Sequence, residues 1–219
     1  MIKVGLCGFS TAAAALLPGV VASVRSSHPH CVVRIIEAEP AECFDLLLAD
    51  EADVAVVVAI AAMPATDDPR FEQRHLLEDP LDLLVPQTHR LAQEQSVLLG
   101  DLVAESWIMD RPGRPYHQLL QTACAAAGFS PAVAHVATEW DTGAALVAGG
   151  LGIAMIPRLA HLPAGYPVVR VPLRGEPAPS RHILTGIRRG SSSQPVIAAA
   201  LAALEDSASN RWSGERPGK

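Results

Sequence analysis

The sequence predicts an α/β protein whose parallel strands are connected by helices. Short apolar runs, which suit buried strands, alternate along the chain with stretches whose apolar residues recur at helical spacing. Such alternation favours parallel pairing with right-handed crossover connections. A loop rich in proline and aspartate, residues 64–69, interrupts the alternation, which then resumes. The 219 residues, 49% of them hydrophobic, are enough to bury one core or the cores of two small lobes.

Three strands and two helices are predicted before that loop. The strands are the apolar runs 2–7, 32–36 and 54–58. Six apolar residues between the first two runs recur at the spacing of one helix face, which predicts a single long helix. These residues are Ala13, Leu16, Leu17, Val20, Val21 and Val24. The second helix is expected to begin at Pro40, because proline is tolerated in the first turn of a helix.

After the loop the chain is predicted to be extended over residues 75–86, with an interruption at Pro80, and to cross into a second lobe. Further strands are predicted over residues 107–109, 133–137, 153–156, 168–171 and 182–187. Helices are predicted over residues 116–127, 140–148 and 193–204. Gly128 suits the end of the first of these helices. From Asp206 onward the sequence is polar without a period, which predicts a disordered tail over residues 206–219.

Composition and charge argue against a nucleic-acid or membrane surface. The net charge is −6, charged residues make up 18%, and no block of lysine and arginine is present to grip phosphates. The N-terminus lacks the basic region and long apolar run of a signal peptide. The apolar stretch 54–63 is about half the length that spans a bilayer. These features predict a cytoplasmic protein with no membrane partner.

The cysteines and histidines do not form a recognisable catalytic or metal pattern. No CxxC pair is present, so the cysteines are predicted to be small buried residues, with a redox-sensing pair as the alternative. They are Cys7, Cys31, Cys43 and Cys124. The sequence has no GxSxG or HExxH motif, and the glycines at 149–152 precede a strand, which suits a tight turn rather than a dinucleotide site. We therefore predict no catalytic residue, no metal and no cofactor.

Five segments, in order, resemble the effector-binding domain of LysR-type transcription regulators. They are LLPGVVASVRSSHPHCVVRIIEAEP, FDLLLADEADVAVVV, LLEDPLDLLVPQTHRLA, DLVAESWIM and AALVAGGLGIAMIPRLA. The last is similar to the family's LVAAGLGIALLP. The chain departs from the family pattern at Arg90 and Ser106, where the family commonly has proline. The resemblance covers almost the whole chain up to Ala203.

The resemblance implies a type-2 periplasmic-binding-protein fold, in which two Rossmann-like lobes are joined by two crossing strands and share a ligand cleft. The expected boundaries are residues 1–80 with 182–205 for lobe I and residues 81–181 for lobe II. It also implies a small-molecule effector, a homodimer or homotetramer, and DNA contact only through an upstream helix-turn-helix domain. This chain begins at the first sensor strand, so we expect that it is truncated. The alternatives are a stand-alone solute-binding protein and an enzyme on the same fold.

Two turns at the ends of predicted strands are the main candidate ligand contacts, because open parallel sheets bind ligands beyond the carboxyl ends of their strands. Phe9, Ser10 and Thr11 lie at the start of the long helix, where free amides and the positive dipole suit a carboxylate or phosphate. The alternative is that the two hydroxyls only cap the helix. Thr138 occupies the matching turn of the second lobe, where the alternative is a capping box with Asp141.

The remaining walls of the expected cleft are mostly apolar. They are Pro40, Ile60, Asp110, Arg111, Trp140 and Met155. Trp140 is expected either to line the cleft or to belong to the core. Family members that sense aromatic carboxylates often carry an arginine after the third strand, where this chain has Ala59 and Ile60, and Arg111 is either a substitute cation or a solvated side chain. We therefore expect a modest organic ligand with one anionic or polar end.

Overall fold

The computed structural model describes residues 2–211, and these divide into two units by their internal contacts. Unit 1 contains the described residues up to Glu78 and those from His182 onward. Unit 2 is Asp79–Arg181. The chain enters unit 2 once and leaves it once, so unit 1 is built from two separate segments.

Strands and helices alternate along most of the chain. The first elements are β1 (Ile2–Gly8), α1 (Ser10–Ala15), α2 (Leu17–Ser27), β2 (Cys31–Glu37), α3 (Pro40–Leu48), β3 (Val54–Val58) and β4 (Phe71–Pro86). They are followed by β5 (Val97–Leu98), β6 (Ser106–Met109), α4 (Pro115–Ala126), β7 (Ala132–Val136), α5 (Trp140–Ala148), β8 (Ala154–Pro157), β9 (Val168–Arg174), β10 (Ser180–Arg188) and α6 (Pro195–Arg211). Short 3-10 helices lie at Arg90–Gln93, Leu99–Leu102 and Ser191–Ser193.

The sheet of unit 1 brings the carboxyl ends of three strands to one edge. β1 lies between β2 and β3 and pairs with both in parallel, and β3 pairs antiparallel with β10. All five residues of β3 are buried, as expected for an internal strand. Phe44 of α3 packs edge-on against Phe71 with ring centroids 4.9 Å apart, which anchors one side of the core.

Unit 2 is built on β4. β4 pairs antiparallel with β8 and with β9, and β5 pairs in parallel with β9. β6 and β7 form a separate parallel pair, and a single bridge joins Trp107 of β6 to Ile153. Trp107 is completely buried in a core that includes Leu120 and Cys124 of α4. This core fixes β6, whose carboxyl end carries one of the predicted ligand contacts.

The single long helix predicted after β1 is wrong. The structure has two helices there, α1 and α2, which are separated at Leu16. Pro18 occupies the first turn of α2, and a proline lacks the amide hydrogen that would continue the ladder of the preceding helix. The proline ring also disfavours the helical backbone conformation for the residue that precedes it. The apolar spacing continues across this break, so periodicity alone does not reveal it.

The predicted start of the disordered tail at Asp206 is also wrong. α6 continues to Arg211, because Ala208 is buried and the Arg211 guanidinium donates a hydrogen bond to the Ala15 carbonyl. The polar residues of this last stretch therefore lie largely on the exposed side of a helix. The rest of the predicted tail, residues 212–219, lies outside the described residues.

The four cysteines are buried free thiols, which confirms the prediction that they are small buried residues. Burial raises the pKa of the Cys124 thiol to about 11. A side-chain hydrogen bond with Cys7, together with burial, raises the pKa of Cys43 above its ordinary value. Both thiols are therefore held in the protonated form at neutral pH, which makes them poor nucleophiles.

Within the described part of the chain, no helix combines the length and the apolar character needed to cross a membrane.

A substitution of Gly5 by alanine is expected to destabilise unit 1 by roughly 1–3 kcal/mol, because it overpacks a close backbone contact. A Cβ atom at Gly5 would lie 2.6 Å from the Glu51 carbonyl oxygen and 2.9 Å from the Ala52 Cα. Gly19→Ala is the matched control, since a Cβ there meets nothing within 4 Å and alanine favours the helix by about 1 kcal/mol. Urea denaturation followed by far-UV circular dichroism measures both. A Gly5→Ala protein as stable as the parent would contradict this account of the strand.

Candidate functional site

Four of the predicted contacts line one depression in unit 2. They are Asp110 after β6, Thr138 after β7, Trp140 at the start of α5 and Met155 in β8. β6 and β7 are parallel neighbours, so the turns that follow them meet at one edge. The other lining residues are Ile108, Met109, Tyr116, Leu120, Ala137, Glu139, Gly143, Ala154 and Ile156. Most of this wall is apolar.

Tyr116 is an aromatic lining residue that was not among the predicted ligand contacts. Its hydroxyl donates a hydrogen bond to the Met155 carbonyl over 3.0 Å, and its ring meets that of Trp140 edge-on with centroids 4.8 Å apart. Burial raises the pKa of Tyr116 above its ordinary value, so the phenol stays protonated as a donor. The spacing of apolar residues predicts only that Tyr116 lies on the apolar face of a helix. It does not predict that the folded chain brings Tyr116 next to β8.

Asp110 is buried and its carboxylate is already engaged. One carboxylate oxygen accepts from the Arg111 amide over 2.7 Å, and the other accepts from the Arg114 Nε over 3.1 Å. The Asp110 carbonyl lies 2.7 Å from the His117 Nδ1. A carbonyl can only accept, so this histidine carries a proton on Nδ1. The side chain of Arg111 is exposed in the turn after β6.

The depression is small, and the charged side chains in its lining are acidic. Its cavity volume is about 20 Å³, on the order of the space that one water molecule needs. Asp110 and Glu139 are its charged lining residues, and no lysine or arginine of the described chain belongs to the lining. Unit 2 by itself therefore offers room for the tip of a ligand, beside two carboxylates and two aromatic rings.

The predicted capping box of Thr138 with Asp141 is wrong. Glu139 is the N-cap of α5 and makes no side-chain capping hydrogen bond. Asp141 instead accepts a hydrogen bond from the Tyr166 hydroxyl over 3.1 Å. Thr138 is half-buried in the wall of the depression. Trp140 is half-buried and packs against the core as well, so it belongs to both the wall and the core.

The predicted contacts of unit 1 follow the carboxyl ends of β1, β2 and β3. Phe9 is buried and is the N-cap of α1, so the interpretation that Ser10 or Thr11 caps this helix is wrong. Ser10 is exposed and Thr11 is buried. α1 has only six residues, so its dipole is weaker than that of the long helix expected there. Pro40 opens α3 and is buried, and Ile60, after β3, is half-buried.

A comparison with known families identifies the chain. The family model of the LysR substrate binding domain matches residues 3–209. The chain is a LysR substrate-binding domain. The resemblance carried by its sequence motifs is confirmed.

Curated relatives of this LysR domain are named as transcription regulators. The uncharacterized HTH-type transcriptional regulator YwbI of Bacillus subtilis is 29% identical over 140 residues, which cover 64% of this chain and 45% of YwbI. The chain spans about half the length of the curated relatives it matches.

Solved structures confirm the predicted fold of the LysR domain. The effector-binding domain of a BenM variant matches with a TM-score of 0.81 at 19% identity, covering 100% of both chains. The effector-binding domain of QuiR, in complex with shikimate, matches with a TM-score of 0.76 at 20% identity, covering 95% of this chain and 98% of QuiR. At these identities the similarity establishes the fold and not the ligand.

Proposed function

We propose that this LysR substrate-binding domain senses a small organic effector on behalf of a transcription regulator. The observation that carries the proposal is the depression of unit 2, where Asp110, Thr138 and Trp140 follow or flank the carboxyl ends of parallel strands. Open α/β sheets bind ligands at such edges. The curated relatives, which are named as transcription regulators, support the regulatory role.

The lining of the depression favours an effector with an apolar or aromatic part. The rings of Tyr116 and Trp140 present apolar surface, and the Glu139 carboxylate disfavours an anion beside it, whereas the Asp110 carboxylate is paired with Arg114. We propose that the depression holds the apolar or hydrogen-bond-donating part of the effector. Separately, we propose that the Ser10 hydroxyl of unit 1 is a contact for an anionic group. Ile60, Pro40 and the buried Phe9 would then contribute apolar surface in unit 1. The expectation that both lobes share one ligand stays a prediction.

The regulatory step in this proposal is a shift between conformations. An effector favours the conformation that binds it better, by as much as its affinity differs between states. DNA contact is assigned to a helix-turn-helix domain, since the net charge of this chain is −6 and its basic residues are scattered. We also propose a homodimer or homotetramer, located in the cytoplasm, where the regulated DNA is.

Substitution of Thr138 by alanine is expected to raise the Kd for the effector by about 3- to 12-fold, which corresponds to the loss of one neutral hydrogen bond. The effector is first sought by thermal shift, with a panel of small organic acids that begins with shikimate, the ligand of the QuiR structure, and includes uncharged amide analogues. Isothermal titration calorimetry then measures the Kd for each hit. Ser10→Ala tests the unit 1 contact in the same assay.

Thr142→Ala is the matched control for Thr138→Ala, because Thr142 is exposed on α5, the helix that follows the turn of Thr138, and does not belong to the lining. It is expected to leave the Kd unchanged. Equal Kd values for the parent, the Thr138→Ala variant and the control would contradict the assigned site. The sensing function would be contradicted if the protein converted the bound compound to a product, which chromatography of the incubated mixture would detect.

A further inference from the structure

Three side chains with metal-binding atoms meet on the surface of unit 1. His75 and Glu78 lie on β4 and His182 lies near the start of β10. The Glu78 Oε1 is 2.5 Å from the His182 Nδ1 and 3.5 Å from the His75 Nε2. All three ligand atoms lie within 4.8 Å of one another. The cluster therefore joins two adjacent strands whose ligand residues are about a hundred positions apart in sequence.

The spacing of these atoms is close to that of a metal coordination shell. In a tetrahedral zinc site with bonds of about 2.0–2.2 Å, ligand atoms are separated by about 3.3–3.6 Å. The His75–Glu78 separation of 3.5 Å already lies in this range. The His182–Glu78 pair, at 2.5 Å, needs to open slightly. Small rotations of exposed side chains are sufficient, because the three side chains are 47–64% exposed.

The backbone around the cluster is held by the sheet. The His182 carbonyl accepts a hydrogen bond from the Ala59 amide over 2.9 Å, which fixes the start of β10 beside the end of β3. Asp79, which follows Glu78 on β4, and Arg181, which precedes His182 on β10, form a buried ion pair in unit 2. The Arg181 Nη2 lies 2.5 Å from the Asp79 Oδ2. The strands that carry the ligands are thus anchored immediately beside them, so that metal binding orders side chains and not backbone.

The ligand set selects the class of metal. Two imidazoles and one carboxylate suit Zn²⁺ and other first-row divalent cations, whereas Mg²⁺ and Ca²⁺ prefer oxygen ligands. Three protein ligands leave further positions for water. Exposure makes the cluster accessible to an ion from solvent.

We propose that His75, Glu78 and His182 form a surface binding site for one Zn²⁺ or a similar first-row divalent cation. In this site the His75 Nε2, a Glu78 carboxylate oxygen and the His182 Nδ1 are the ligands, and water completes the coordination. The bound ion clamps β4 to β10 within unit 1. The site is independent of the effector site, so the failure of one proposal leaves the other intact.

Calorimetric titration of the full chain with zinc chloride tests the proposal, using protein purified without a polyhistidine tag. The parent is expected to bind one Zn²⁺ per chain. His182→Ala, His75→Ala and Glu78→Gln are each expected to weaken binding at least about tenfold, since even the loss of an outer-shell partner costs 10- to 100-fold. Magnesium chloride is expected to give no binding heat.

His161→Ala is the matched control, because it removes another exposed imidazole that lies in unit 2. It is expected to bind Zn²⁺ as the parent does. Circular dichroism verifies that each variant is folded. The proposal is overturned if the cluster variants keep the parent's affinity, if His161→Ala weakens binding equally, or if Mg²⁺ binds as well as Zn²⁺.

Discussion

Replacement of Arg181 by methionine is expected to lower the free energy of unfolding of unit 2 by about 3–5 kcal/mol, because it leaves a buried charge without its partner. Asp79 is fully buried, and its Oδ2 accepts hydrogen bonds from the Arg181 Nη2 at 2.5 Å and Nε at 3.1 Å. Its Oδ1 accepts from the Leu159 amide over 3.0 Å. Without the guanidinium, the Leu159 amide is the donor that remains to the buried Asp79 carboxylate among the described residues.

Urea denaturation followed by tryptophan fluorescence measures this loss. Trp107 and Trp140 lie in unit 2. The third tryptophan of the sequence, Trp212, is replaced by phenylalanine in the parent and in every variant, so that the emission follows the unit that contains the ion pair. Arg90→Met is the matched control. Its partner Glu105 is 2.6 Å away, but 61% of the Arg90 side chain is exposed, and exposed pairs contribute at most about 1 kcal/mol.

A double variant separates the cost of the orphaned charge from the loss of packing. Asp79→Leu combined with Arg181→Met removes both charges and is expected to recover part of the stability lost in Arg181→Met alone, because buried ion pairs can often be replaced by apolar groups. If Arg181→Met and Arg90→Met lower stability equally, the buried pair is not the source of the effect.

The sequence predicts an element well where its pattern is compatible with only one kind of secondary structure. The run of five apolar residues at 54–58 is too short for a buried helix and too apolar for a surface strand, and it forms the buried β3. The break between α1 and α2 is different, since the apolar spacing runs through Pro18 without interruption. Periodicity reports which residues face the core, and it does not report whether the hydrogen-bond ladder is continuous.

Long-range pairs mark the limit of what the sequence alone can predict. The sequence predicts ligand contacts at the turns after β6 and β7, because open parallel sheets bind ligands beyond the carboxyl ends of their strands. Asp110 and Thr138 of these turns line one depression in the structure. The contact of Tyr116 with Met155 spans 39 residues and depends on how α4 packs on β8. No local pattern encodes such a contact.

The buried charges show the same limit. Asp82 is 3% exposed and is paired with Arg158 at 2.7 Å, across 76 residues of sequence. The sequence alone identifies Asp82 only as an acidic residue in a predicted crossing strand. A buried carboxylate needs a partner, but the identity of the partner is fixed by the antiparallel pairing of β4 with β8, after which Arg158 follows.

Substitution of Trp107 by alanine is expected to lower the free energy of unfolding of unit 2 by about 3–5 kcal/mol, because it leaves a cavity in the core. The Trp107 side chain is completely buried and lies 6.1 Å from Phe129 between ring centroids. Its indole Nε1 has no hydrogen-bond partner among the described residues. Trp107→Phe, which loses volume but no hydrogen bond, is therefore expected to cost less, roughly 1–2 kcal/mol.

Urea denaturation followed by far-UV circular dichroism measures both tryptophan variants, since fluorescence is changed by the substitution itself. Val133→Ala on β7 is the control, and because Val133 is 44% exposed its effect is expected to stay within about 0.5 kcal/mol. A Trp107→Phe protein as unstable as Trp107→Ala would contradict this account, in which the loss of stability grows with the cavity left behind. Three of the buried residues that line the depression, Met109, Leu120 and Met155, share a core cluster with Trp107, so a cavity at Trp107 is expected to loosen that wall as well.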